Sequence, residues 1–352
     1  MSKKVGIILI NYKDYAEKYL SVCLESLKRQ NYENWNLFIV DNESSEDSLA
    51  YLKKEAPAAE IIANKNNDGF AKGNNDALKL VIERGFDYAW VLNMDTEVTA
   101  EALDKLVKTL DNNEKIGAAQ SRLMLYKDKE IINSLGNTTH FLGFGYCLAY
   151  QEKYIEKTEE IADIFYPSGA SVLFNLNVLK DVGLFDEEFW MYNEDQDIGW
   201  RIWLAGYRCV VNYQSIVYHN YEFSRSITKY YWMDRNRTIA ILKNYSLPTL
   251  ILVFPAWLIM ELGLLIFSLQ SGWFKKRLEV ISYFLKAKTW NYLKKVRRDI
   301  QTNRKIKDKE ILKMVSGKIW YQEIADPKLK IINPIFNAYF LLIKFLANLF
   351  NF

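Results

Sequence analysis

An α/β protein built on a mostly parallel sheet is what the first 220 residues predict, and two patterns carry that expectation. Short apolar runs end in carboxylates or amides: residues 5–10 end at Asn11, 37–40 at Asp41-Asn42, and 89–92 at Asn93-Met94-Asp95. Runs of this kind, without polar alternation, read as strands buried on both faces. Helical periodicity fills the intervals between them, which makes βαβ repeats. Ligands of open α/β sheets bind beyond the carboxyl ends of the strands. Polar residues at three such ends therefore point to one site.

Taken in order, residues 15–30 place Tyr19, Val22, Cys23 and Leu27 at helical spacing. Residues 46–55 form a second helix and 61–63 a brief strand. Residues 71–84 put Ala77, Leu78, Val81 and Ile82 on one helix face, with Gly85 closing it. A strand over 89–92 and a helix over 100–110 follow. Further on, 117–125, 169–174 and 207–211 read as strands, and the charged stretches 127–130 and 151–160 as exposed loops. From about 228 the chain turns helical. Residues 247–269 carry one charge, Glu261, and are long enough to cross a bilayer, although Pro248 and Pro255 argue against it. Residues 331–352 are apolar apart from Lys344, and Pro334 suits a helix start. These changes divide the chain into residues 1–225 and a helical region, 226–352.

Half of the 352 residues are apolar and a quarter charged, which suits a packed core. Cys23, Cys147 and Cys209 are far apart and include no CxxC pair, so a disulfide scaffold or cysteine zinc site is not expected. The start of the sequence reads as lacking a signal peptide, which together with the cysteines gives a cytoplasmic expectation. The net charge of +3 hides an asymmetry. Residues 271–330 hold 17 Lys and Arg against 6 Asp and Glu, and the first 270 residues are net acidic. That acidity, together with acids at the strand ends, argues against nucleic acid as the partner.

Each motif has a sharp and a plain reading. Asp95, leaving a central strand, suits a divalent cation that neutralises a diphosphate, or it simply turns the chain. Asp41 suits the ring N–H of a pyrimidine, while Ser44 or Ser45 caps the next helix. The stretch Asn67-Asp68-Gly69-Phe70-Ala71-Lys72-Gly73-Asn74-Asn75 opens a helix where an anion would be favoured, and is not GxGxxG. Glu194, Asp195 and Asp197 sit in the first turn of a helix, where the dipole favours acids, and Arg201 lies four residues beyond Asp197 and can pair with it. In the sharp reading Asp195 is a general base, ionised at an ordinary pKa of about 3.9. His219 is a structural histidine or a nitrogen ligand for Mn²⁺.

In this order, with Ser168-Gly169-Ala170, Gly183-Leu184-Phe185-Asp186-Glu187, Met191-Tyr192-Asn193 and Arg235-Asn236-Arg237, the motifs resemble the family 2 glycosyltransferases of GT-A fold, in particular the rhamnosyltransferase-like branch. The resemblance spans about residues 4–245. It implies a GT-A-type nucleotide-sugar-binding domain with a mostly parallel central sheet, followed by a C-terminal α-helical region. It also implies inverting, metal-dependent transfer from a nucleotide-diphosphate sugar. Asp195 then matches the catalytic base and Glu194 an acceptor-orienting acid. Asn11, Asp41, Gly69, Gly73, Asn74, Asn93 and Arg201 match the donor site. Asp95 and His219 match the positions for Mn²⁺ or Mg²⁺. Asn93 and Met94 depart from the usual Asp and Pro of the DxD motif, and Asn93 offers only a neutral carbonyl. The stretch Asn220-Tyr221-Glu222-Phe223-Ser224 lacks the family's usual glycines.

One base without a second nucleophilic carboxylate fits inversion, and the oxocarbenium-like centre parallels glycoside hydrolysis. A nucleotidyltransferase would need a basic, Gly-rich loop after the first strand, where Asn11-Tyr12-Lys13-Asp14 stands. The apolar and basic back half suggests a membrane surface and a saccharide or lipid-linked saccharide acceptor at the cytoplasmic face. A soluble helical subdomain, a homodimer interface and a non-catalytic scaffold are the alternatives. By resemblance the donor sugar is rhamnose first and a UDP-hexose second.

Overall fold

Apolar runs rich in Ile, Leu and Val form the strands of the central sheet, and the computed structural model describes residues 2–221, 227–320 and 328–352. The order begins β1 (Val5–Tyr12), α1 (Tyr15–Lys28), β2 (Trp35–Asn42), α2 (Glu46–Glu55), β3 (Glu60–Asn64), α3 (Gly69–Glu83), β4 (Tyr88–Leu92), β5 (Thr96–Val98) and α4 (Ala102–Asp111). It continues β6 (Ile116–Leu125), β7 (Ile132–Ser134), β8 (Asn137–Thr139), β9 (Gly145–Cys147), β10 (Ile161–Asp163), β11 (Ser171–Asn175), α5 (Leu176–Val182), α6 (Glu194–Leu204) and β12 (Arg208–His219). Helices complete the chain: α7 (Ile227–Asn244), α8 (Leu247–Gln270), α9 (Phe274–Leu285), α10 (Ala287–Asn303), α11 (Asp308–Met314) and α12 (Lys328–Phe350).

The sheet runs β10-β12-β6-β11-β4-β1-β2-β3, with β5 and β7 added on β12 and β6. β1 pairs in parallel with β2 and β4, β2 with β3, and β12 with β6. β11 runs antiparallel to both its neighbours, β4 and β6. The sheet is therefore mixed but mostly parallel. Because β11 runs the other way, its beginning lies beside the end of β4, at the edge where the parallel strands finish. Ile7, Leu9 and Trp90 bury one face of the sheet against Leu20 and Leu27 of α1 and Leu103 and Leu106 of α4.

Three sequence expectations change. β12 extends eight residues past Val211, so His219 ends a strand held by β5 and β6. Val22 is exposed, because Leu20, Cys23 and Leu24 already fill the side of α1 that meets the core. Pro334 lies inside α12, whose start precedes it by six residues.

Contacts divide the chain into two compact units. One holds residues 1–137, 147–202 and 207–222; the other holds 138–146, 203–206 and 223–352. Within the second, α7 packs on α9 and α10, and α8 on α9 and α12. Asp234 of α7 and Glu261 of α8 share Arg237 and Arg277 in a buried four-charge cluster.

Candidate active site

The end of β4 sets the site. Asn93 N–H donates to Ala170 O at 3.0 Å, tying the end of β4 to the start of β11. Thr96 Oγ1 donates to Asn93 O at 2.6 Å, and Asn220 N–H to Asp95 O at 2.8 Å, so the turn carrying Asp95 is fixed from both sides. Asp95 Oδ1 is buried and accepts no hydrogen bond from the described residues. His219 Nε2 stands 3.3 Å from that oxygen. The other ring nitrogen, Nδ1, meets Asn133 Oδ1 at 2.9 Å, and both residues are buried. In the neutral tautomer that donates from Nδ1 to Asn133, Nε2 would present a lone pair towards the carboxylate. Two lone pairs facing each other in a buried place suit an intervening cation. One carboxylate oxygen and one imidazole nitrogen fit Mn²⁺ or Mg²⁺, with water and phosphate oxygens completing the shell. Among the described residues no cluster of three or more His, Cys, Asp or Glu assembles, so the protein offers a sparse ligand set. The Tyr15 hydroxyl also reaches Asp95, and burial and that carboxylate push its pKa far up, so it stays a donor.

On the neighbouring strands, Asn11 stands opposite Asp41. Asn11 Nδ2 donates to Asp41 Oδ1 at 2.7 Å, and its Oδ1 accepts the Ala16 N–H at 2.8 Å. Ser44 and Ser48 hydroxyls both donate to Asp41 Oδ2 at 2.6 Å. Ser45 caps α2 in a reciprocal box with Ser48. Asp41 is thus buried and fixed by three donors, with a lone pair left on Oδ1 for a further N–H. Asn11 acts here as the orienter of Asp41 and the anchor of α1.

α3 begins at Gly69, so Gly73 and Asn74 lie in its first turns. Gly69 has φ +76°, and a Cβ there would strike the carbonyl and ring of Trp190. Gly73 lets α3 close on the sheet: a Cβ would sit 3.2 Å from both Asn42 Nδ2 and Ile10. Asn74 is buried, donating to Phe70 O at 2.9 Å and leaving its Oδ1 unpartnered among the described residues. This helix start interlocks with the segment before α6. Ala71 N–H donates to Trp190 O at 3.1 Å, Trp190 Nε1 to Asn67 O at 3.2 Å, and Asn75 exchanges bonds with the Phe185 backbone. Trp190, Tyr192 and Asn193 all hold positive φ, at 59°, 69° and 65°. Such strain costs about 1–3 kcal/mol per residue and persists where the surroundings over-determine it. Here it aims the first turn of α6.

That turn carries Glu194 and Asp195. Asp195 Oδ1 accepts the Gln196 N–H at 2.7 Å and Oδ2 the Gly169 N–H at 3.4 Å. Gly169 precedes Ala170, the residue bonded to Asn93, so Asp195 stands at the same sheet edge as Asp95. Burial raises the Asp195 pKa to about 6, above the ordinary value expected from sequence, even though these backbone bonds favour the charge. Glu194 is raised well above the usual carboxylate range, by burial and then by the Asp195 charge. Its Oε2 is unpartnered among the described residues.

Arg201 does not follow the donor-site expectation. Its Nε donates to Asp197 Oδ2 at 2.9 Å, Nη1 to Val182 O and Gly183 O, and Nη2 to Leu184 O at 2.7 Å. The guanidinium clamps the turn after α5 to α6 and is spent on structure, as the plain i,i+4 reading had it. Residues 222–224 lie outside the described residues. Asn133, Ser48, Tyr15 and Trp190 escaped the sequence reading: each acts through a partner remote in sequence or through backbone conformation, and none carries a recognisable spacing.

The fold and this edge of polar side chains define a GT-A-like α/β protein. Residues 6–182 match the family described as glycosyl transferase family 2, and the chain belongs to that family. It is 24% identical over 252 residues, 69% of this chain and 73% of the other, to an "Uncharacterized glycosyltransferase" of Haemophilus influenzae. Among solved structures it is similar to GalNAc-T7, crystallised with UDP, GalNAc and Mn²⁺, at a TM-score of 0.53 and 14% identity over 68% of this chain. This chain spans about half, 48%, of that neighbour. It also aligns with S. aureus TarS 1-349 at a TM-score of 0.49 and 16% identity, over 97% of this chain and 90% of that one.

Proposed function

We propose that the protein is an inverting glycosyltransferase that moves a sugar from a nucleotide-diphosphate donor to a hydroxyl of a saccharide or lipid-linked saccharide. Its work lies in cell-surface glycan synthesis at the cytoplasmic face of a membrane. The observation that carries this reading is the placement of Asp195, through Gly169 and Ala170, at the sheet edge that holds Asp95 and His219.

In this reading Asp41 binds the base of the nucleotide, with Asn11 holding it in place. Gly69, Gly73 and Asn74 shape the start of α3 beside the nucleoside and diphosphate, and Asn93 contributes its carbonyl. Asp95 and His219 would hold a divalent cation, Mn²⁺ or Mg²⁺, which when bound would neutralise charge at the departing diphosphate. Asp195 Oδ takes the proton from the acceptor oxygen as that oxygen attacks the anomeric carbon and the bond to the diphosphate breaks. A base near pKa 6 remains ionised at neutral pH yet takes a proton more readily than an ordinary Asp. Glu194, whose carboxyl is pushed well above the usual carboxylate range by burial and the Asp195 charge, lies beside it and orients the acceptor. Attack from the side opposite the leaving group inverts the anomeric centre. Rhamnose on a deoxythymidine diphosphate is the first donor to try and a UDP-hexose the second; the UDP crystallised with GalNAc-T7 supports the latter. A screen of donors that reads released nucleoside diphosphate, with and without Mn²⁺, tests the proposal. Release above the Asp195→Asn background with one donor supports it, and equal release from parent and variant with every donor refutes it.

A further inference from the structure

The helical unit carries an apolar surface with a basic cleft at its end. α8 buries Thr249, Val253, Ala256, Met260, Leu264 and Ser268 along one side. Its opposite side, Ile251, Phe254, Leu258, Leu262, Ile266 and Leu269, is exposed, and every one of these is more than two-fifths open to solvent. The spacing of three and four residues makes this one continuous stripe. α12 repeats the arrangement, with Phe336, Phe340 and Ile343 inward and Ile335, Phe345 and Leu349 outward. The two helices are adjacent, and Tyr339 of α12 donates to Leu252 O of α8 at 2.8 Å.

Both helices are long and apolar enough to cross a bilayer, yet only 17% and 22% of their most apolar stretches are buried. Glu261 decides against crossing. It sits within α8, and its carboxylate accepts from Arg237 Nη2 at 2.5 Å and from Arg277, which both also bind Asp234. A crossing α8 would draw four charges from three helices into hydrocarbon, where each is costly. Lying flat, α8 keeps them on its protein side and presents only the apolar stripe.

A cleft of about 460 Å³ adds the charge. It is lined by Leu247, Lys294, Arg297, Arg298 and Gln301. Arg297 is committed to the carbonyls of Leu242 and Tyr245, at 2.7 and 2.6 Å, whereas Lys294 and Arg298 are exposed. Leu247 belongs both to the cleft wall and to the start of the apolar stripe. Two cations beside such a stripe complement an anionic phosphate joined to acyl chains.

We propose that the outward faces of α8 and α12 lie in the plane of an anionic phospholipid bilayer, at the boundary of headgroups and acyl chains, with Lys294 and Arg298 on headgroup phosphate. This rests on the membrane-associated part of the function proposed above and is independent of sugar transfer.

Flotation of the full chain with vesicles tests it, using phosphatidylcholine alone or phosphatidylcholine with phosphatidylglycerol. Donor turnover is measured on the same preparation, so loss of lipid binding and loss of catalysis read separately. The chain should float with the anionic vesicles. Lys294→Glu with Arg298→Glu should lower its partitioning at least about tenfold. Ile251→Asp with Ile266→Asp should abolish flotation with unchanged circular dichroism. Spin labels at 251, 259 and 266, with Cys147→Ser removing the one partly exposed native thiol, should report one shallow depth. A label at 259 much deeper than the other two shows a crossing helix and overturns the proposal. Absence of flotation overturns it, as does a dimer that dissociates with Ile251→Asp, which would give the face to a second copy of this chain. Flotation that neither variant lowers overturns it too.

Discussion

The Asp195 carboxyl should leave its mark on both rate and stability. Its pKa moves from an ordinary 3.8 to about 6 because burial penalises the charge more than the N–H groups of Gln196 and Gly169 favour it. If it is the base, kcat/KM should fall on the acid side with an apparent pKa near 6. Roughly nine molecules in ten carry the ionised base at pH 7 and roughly one in ten at pH 5. The stability effect has the opposite sign to that of a salt-bridged Asp. The folded state holds this proton more tightly than the unfolded chain, so stability declines as pH rises from 3.8 through about 6. A shift of about two units corresponds to roughly 3 kcal/mol of stability absent at pH 8 and restored below pH 4. Asp195→Asn removes the charge. It should abolish turnover while gaining up to about 3 kcal/mol over the parent at pH 8, and nothing at pH 4. Denaturant melts at the two pH values, beside a pH–rate profile from 4.5 to 8.5, make the measurement. An acid limb below pH 5, or an Asn variant less stable than the parent at both pH values, would refute the reasoning.

Other outcomes follow from single contacts. Asn133→Leu removes the acceptor that fixes the His219 ring, and should weaken Mn²⁺ affinity about 10–100-fold by calorimetry. Unchanged affinity would remove Asn133 from the site. Arg201→Ala removes the buried guanidinium that pairs with Asp197 and should cost about 3–5 kcal/mol in a denaturant melt. KM for the donor in the remaining folded enzyme should not change, and a raised KM with full stability would return Arg201 to the donor site. Gly69→Ala places a methyl against Trp190 at positive φ, and should destabilise by about 1–3 kcal/mol and lower kcat by displacing the segment before Glu194. Parent-like kinetics would show that this segment does not aim the first turn of α6.

Much of the architecture was legible because its causes are local. Helix α2 runs over the residues its pattern predicted, 46–55, since a Ser cap and a first turn of acids act within four residues. The polar ends of β1, β2 and β4 could be read because an apolar run and the residue that stops it are neighbours in sequence. The likeness of the ordered motifs to a known family supplied the order in which distant pieces belong together. Tertiary structure alone decided the rest. Antiparallel β11 brings Gly169 and Ala170 to the end of β4, and through them Asp195 to the edge that holds Asp95. Nothing near Asn133 announces that it orients a histidine 86 residues away. Arg201 has the charge and position of a phosphate donor, but the carbonyls of residues 182–184 and Asp197 take its hydrogen bonds. The basicity of Asp195 is likewise set by how much surrounding protein excludes water from it. Burial, orientation and the saturation of donors depend on the whole packing, and no window of neighbouring residues contains them.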